Sequence, residues 1–123
     1  MDEKRISDAE MALLILLWEE SPLTAAELAE RLPLSRAWSL PTVKTFLSRL
    51  VAKGAVATES AGRHFLYRPA VAKAPVAAQQ AGRLVDRMFG GRVSPLVAQL
   101  ASQGALSDED LAELEALVRE LRS

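Results

Sequence analysis

Apolar residues recur along this chain at two periods, and the change from one to the other organises it. From Ser7 to Gly54 the spacing is helical. Met11 to Trp18 is apolar nearly all round, which predicts a helix buried on most sides. Ser7-Asp8-Ala9-Glu10 precedes it with the Ser-x-x-Glu spacing of a capping box, and Ser21-Pro22 breaks it. Thr24-Ala25-Ala26-Glu27 is a second capping box. It opens a short helix with Ala25, Leu28, Ala29 and Leu32 on one face, ended by Pro33. Leu34 to Trp38 connects to a third helix, in which Val43, Phe46, Leu47 and Leu50 fall at i, i+3, i+4 and i+7. Ser39 is placed to cap it, Pro41 suits its first turn, and Gly54 suits the position just past its end.

After Gly54 the period shortens to that of strands. Val56-Ala57-Thr58 is a short strand, Ser60-Ala61-Gly62 a turn, and Arg63 to Arg68 a second strand stopped by Pro69. Three helices followed by a hairpin is the order of a winged helix-turn-helix, with the hairpin as wing. A structural edge with solvated arginines is the plainer reading of the same hairpin.

Beyond Ala70 helical spacing returns. Val71 to Ala81, rich in alanine and valine and holding Pro75, reads as a linker running into a helix. That helix carries Leu84, Val85, Met88 and Phe89 and stops at Gly90-Gly91. A second starts at Ser94-Pro95, carries Leu96, Val97 and Leu100, and stops at Gly104. Ser107-Asp108-Glu109-Asp110 caps a third, with Leu111, Leu114, Leu117, Val118 and Leu121 as its stripe. Short amphipathic helices cannot bury such stripes alone. A second copy of the chain is the simplest partner, because most soluble oligomers are symmetric homo-oligomers. Packing on the first domain, in a monomer, is the other possibility. The expected fold class is mainly α with a small β-hairpin wing. Residues 1–73 form the winged-helix domain and residues 74–123 a helical dimerisation segment.

Charge changes the meaning of the third helix. The 123-residue chain has a net charge of −1. Residues 1–35 hold three cations against eight carboxylates, a net −5. Residues 36–73 hold Arg36, Lys44, Arg49, Lys53, Arg63, Arg68 and Lys73 against Glu59 alone, a net +6. Residues 74–123 return to −2. The basic block points to a polyanion at the middle of the chain. Within it, the face of the third helix opposite its apolar stripe is small, hydroxylated and cationic. Such a helix can lie in the DNA major groove; an ordinary surface helix of a bundle is the plainer alternative.

Composition removes other chemistries. Without cysteine there is no disulfide, thiolate metal site or cysteine nucleophile. With His64 as the single histidine there is no multi-histidine metal site and no nucleophile–base pair to name. No enzyme activity, cofactor or metal is expected. His64 reads as a solvent-facing wing residue, and Trp18 and Trp38 as core anchors. Met1 to Arg5 has no apolar signal region, and the longest apolar run is too short to span a bilayer, so a cytoplasmic protein without a membrane partner is expected.

The combination of motifs resembles the penicillinase-repressor family of the BlaI/MecI type. The residues that carry the resemblance begin with Ile6-Ser7-Asp8-Ala9-Glu10, Trp18 and Thr24-Ala25-Ala26-Glu27-Leu28-Ala29. They continue with Trp38-Ser39, Thr42-Val43-Lys44-Thr45, Leu47, Arg49-Leu50 and Lys53-Gly54. The wing adds Gly62-Arg63, Phe65, Tyr67 and Pro69, and the tail adds Phe89-Gly90-Gly91 and Ser107-Asp108-Glu109-Asp110-Leu111. The resemblance implies a dimeric winged-helix repressor on a dyad operator, controlling β-lactam-resistance or other stress genes. It also implies a protease acting on the C-terminal segment as a partner. Two departures matter. Gln99-Leu100 stands where the family's Asn-Phe cleavage pair is expected, and the cysteine cluster of the copper-responsive branch is missing.

On this reading Thr42, Lys44 and Thr45 face base edges, because Thr can hydrogen-bond bases or meet the thymine methyl and Lys can reach guanine. Ser39, Arg49, Lys53, Arg63 and Tyr67 are assigned to the DNA backbone. The stripe residues of the last three helices are assigned to dimerisation. A winged-helix module docking an acidic protein partner is the alternative function.

Overall fold

The computed structural model describes residues 5–123; Met1 to Lys4, whose charges enter the acidic N-terminal block, lie outside the described residues. The elements are α1 (Asp8–Glu19), α2 (Ala25–Arg31), a single 3-10 turn (Leu34–Arg36) and α3 (Leu40–Ala52). They are followed by β1 (Val56–Ala61), β2 (His64–Pro69), α4 (Lys73–Phe89), α5 (Val93–Ser102) and α6 (Asp108–Arg122). The chain divides into two compact units, one running to Val76 and one from Ala77 to Ser123.

In the first unit the helices begin where side chains can satisfy the free N–H groups of their first turns. Ser7 and Glu10 close one capping box, and Thr24 and Glu27 the other. Ser39 accepts from the Thr42 amide to start α3. Gly54, at φ +79°, ends it: its N–H donates to Val51 O and that of Ala55 to Leu50 O. This is the left-handed cap that a residue with a Cβ adopts only under strain. The three helices close on Leu13, Leu14, Leu17, Leu28, Val43, Leu47 and Leu50, all buried. Each such side chain contributes about 1.5–3 kcal/mol on leaving water. The first helix is less enclosed than its composition predicts, for Ile15 is 40% exposed.

The hairpin is longer than its expected strands. β1 and β2 pair antiparallel from Val56–Pro69 to Ala61–His64, so Ser60 and Ala61 belong to the strand and the turn is Gly62-Arg63. Gly62 has φ +64° and Arg63 has no positive φ, as a two-residue type II′ loop requires. Arg63, expected on the second strand, is therefore part of the tip. On its other side β2 is held to the helices. Leu23 and Tyr67 exchange both backbone hydrogen bonds, at 3.0 and 2.8 Å. The Trp18 indole donates to Val71 O at 2.9 Å, so Trp18 anchors the chain as expected.

The linker expected from Val71 to Ala81 is corrected: α4 is helical from Lys73, within the first unit, and runs on into the second. Pro75 falls in its first turn, where a missing N–H removes no hydrogen bond. α5 starts at Val93, one residue before the expected Ser94, and contains both Gln99 and Leu100. Ser107 and Asp110 form a third capping box on α6. Of the expected dimerisation residues, Val85 is buried and Leu84, Phe89, Leu96, Val97 and Leu114 are half-buried. Met88, Leu100, Leu111, Leu117, Val118 and Leu121 are exposed within the single chain.

Candidate nucleic-acid interface

The cationic face of α3 and the hairpin tip border one groove. Its volume is about 450 Å³, and it is lined by Thr24, Ala25, Ala26, Leu40, Lys44, Arg63, His64, Phe65 and Tyr67. Two elements bring Lys44 and Arg63 to the same groove: α3, whose opposite stripe is locked in the core, and the hairpin, pinned by the Leu23–Tyr67 bridge. Among the described residues no carboxylate lines it. Glu59, the one acid of the basic block, sits on β1 with Arg68 at 3.6 Å. Tyr67 is half-buried in the groove wall, and His64 is exposed beside Arg63.

The hydroxyls of α3 are already oriented. Ser39 Oγ lies 3.0 Å from Thr42 Oγ1 and accepts from the Thr42 amide at 3.3 Å. Thr45 Oγ1 donates to Pro41 O at 3.0 Å. With its proton used on the backbone, Thr45 offers a ligand acceptor lone pairs and its methyl group. Ser39, Lys44, Thr45 and Arg49 are exposed and Thr42 half-exposed.

Lys53 does not join them. Its ammonium donates to the buried Glu10 carboxylate and, at 2.7 Å, to Arg5 O. Lys53, expected at a phosphate, is thus held by two acceptors of the protein itself. Sequence spacing cannot reveal the pair, since its members lie 43 residues apart. Burial alone would raise the Glu10 carboxyl, but the Lys53 ammonium and the Ser7 amide overrule it and hold it below the ordinary 4.5.

Phe46, on the apolar stripe, is half-buried and packs against the core, with its ring 4.9 Å from that of Trp38. The Arg36 guanidinium lies over Trp38 at 5.7 Å and that of Arg49 over Phe46 at 5.6 Å. Among the described residues no group of acids or histidines could hold a metal ion, and no helix is long and apolar enough to cross a membrane.

The chain matches the penicillinase repressor family model over residues 6–120. It is 28% identical over 116 residues to the penicillinase repressor of Bacillus licheniformis, covering 94% of this chain and 91% of that protein. The methicillin resistance regulatory protein MecI of Mammaliicoccus sciuri is 25% identical, over 93% of this chain and 94% of its own length. The solved DNA binding domain of the repressor BlaI superposes with a TM-score of 0.52 at 33% identity. It covers 58% of this chain and 88% of that domain.

Proposed function

This chain belongs to the penicillinase repressor family, and from that membership we propose that it represses transcription by binding double-stranded DNA as a homodimer on a dyad operator. One observation carries the reading. The exposed face of α3 presents Lys44, Thr45 and Arg49, and among the described residues no carboxylate lines the groove that Lys44 shares with Arg63 of the wing tip. α3 lies in the major groove. Lys44 donates to guanine, Thr42 and Thr45 meet base edges, and the Thr45 methyl faces thymine. Arg49, Arg63, Ser39 and Tyr67 hold the backbone and set the register.

Residues 1–73 bind DNA and residues 74–123 dimerise through the apolar stripes of α4 to α6, of which Met88, Leu100, Leu111, Leu117, Val118 and Leu121 are exposed in the single chain. The dimer sets two copies of α3 about 34 Å or a multiple apart, which is what a palindrome demands. Repression follows from occupying a promoter in the cytoplasm. By the names of the relatives, the genes concerned are those of β-lactam resistance or another stress response. Binding, not catalysis, is the activity.

Titrating purified protein against duplex DNA at several salt concentrations tests this. Phosphate contacts give a steep linear fall of log affinity with log salt. A shallow slope without preference for any duplex would turn the reading toward an acidic protein partner.

A further inference from the structure

We infer that Arg36 and Arg49 are a paired phosphate grip held ready by the aromatic pair between them, an inference that rests on the DNA-binding reading above. Four side chains follow one another in the order Arg36, Trp38, Phe46, Arg49. The Arg36 guanidinium lies 5.7 Å from the Trp38 ring centre. The Trp38 and Phe46 rings are 4.9 Å apart at 53°. The Arg49 guanidinium lies 5.6 Å from the Phe46 ring centre. Both rings are half-buried and packed against the core, so they form a fixed platform.

Partner chemistry separates these two arginines from three other cations. Arg31, Lys53 and Arg68 are each matched by a carboxylate: Glu20, Glu10 and Glu59. Among the described residues, no carboxylate lies within ion-pair distance of Arg36 or Arg49. A carboxylate would compete with a phosphate for the same N–H edge. An aromatic ring takes the flat face of the guanidinium and leaves the five in-plane donors for an anion. It also limits the rotamers that must be frozen on binding.

Position makes the pair useful. Arg36 ends the 3-10 turn just before α3, and Arg49 lies in the last turn of α3. The two charges therefore bracket the helix that enters the groove. A phosphate held at each end fixes how far α3 slides and tilts along the duplex. Trp38 and Phe46 are positioning residues, because they act through the arginines.

The test uses the full chain and a random-sequence duplex as probe, with affinity measured against salt and thermal unfolding run alongside. Arg36→Ala and Arg49→Ala should each lower the salt slope by about one unit. Phe46→Leu should leave the slope unchanged but weaken binding about two- to fivefold. Adding Phe46→Leu to Arg49→Ala should cost little further, because the ring acts through that arginine. An unchanged slope in Arg36→Ala, or fully additive losses in the double variant, overturns the inference. Arg36→Ala alters a side chain outside the core, so it decides the matter even if Phe46→Leu unfolds. Failure of the DNA-binding reading looks different, because the wild-type chain itself would then show no salt-dependent duplex binding.

Discussion

Lys53, which follows the last residue of α3, donates to the carboxylate of Glu10 in the first turn of α1. Glu10 is 1% exposed and also receives the Ser7 amide at 3.0 Å. The pair joins the end of α3 to the start of α1, which ties the pose of α3 to the core. Burial would raise this carboxyl, and the Lys53 ammonium together with the Ser7 amide holds it below its ordinary value.

Lys53→Ala should therefore destabilise the fold by about 3 kcal/mol, since it strands a buried carboxylate. The salt slope of duplex binding should stay at the wild-type value, because the Lys53 ammonium is engaged by Glu10 and Arg5 O. Urea unfolding gives the first quantity and binding titrations the second. A stable variant with a reduced slope would return Lys53 to the phosphate backbone.

The same pair sets an acid limit. The folded Glu10 carboxyl lies below its ordinary 4.5, so its contribution is fully present above that value and is lost as pH falls through the folded one. Unfolding free energy measured down through pH 4 should fall more steeply for the wild type than for Glu10→Gln. Parallel curves would mean that Glu10 titrates normally in the folded chain.

Much of the architecture is legible in the residues because its signals are local. Ser7–Glu10, Thr24–Glu27 and Ser107–Asp110 are capping pairs three residues apart, and each sits at an observed helix start. Val43, Leu47 and Leu50 read as core and are buried. What spacing misses is set by contacts distant in sequence. Lys53 looks like one more cation of a basic block until Glu10 arrives from α1. Phe46 is read from the apolar stripe of α3 and does pack on the core, but its ring contact with Trp38 lies outside what spacing shows. The hairpin turn is displaced because Gly62 supplies the positive φ at the first loop position, which lets pairing run to Ala61 and His64. Pro75 marks a helix start rather than a linker, a choice that proline chemistry leaves open.

Base reading by α3 predicts a difference between probes. Lys44→Ala and Thr45→Ala should each weaken operator binding by about 1–3 kcal/mol and affect a random duplex less. Equal losses on both would assign the two residues to the backbone.

The wing predicts the opposite pattern. Arg63 sits in the two-residue tip and is exposed. Arg63→Ala should weaken binding to every duplex about equally and lower the salt slope by roughly one unit. A loss confined to one sequence would make Arg63 a base contact.

Dimerisation through α4 to α6 predicts the behaviour of a shortened chain. Cutting after Val76, the end of the first compact unit, should leave a folded monomer that binds a half-site weakly. Sedimentation gives its mass, and titration against half-site and full-site duplexes its affinity. A dimeric fragment would move the interface into the winged helix.

Homodimeric recognition of a dyad is the central claim, and selection of bound fragments from random duplex DNA by the purified full chain tests it most directly. The account predicts a palindromic consensus whose half-sites are centred about one helical turn, or a multiple of it, apart. A consensus with a single unrepeated half-site, or no enrichment over the starting pool, would contradict it.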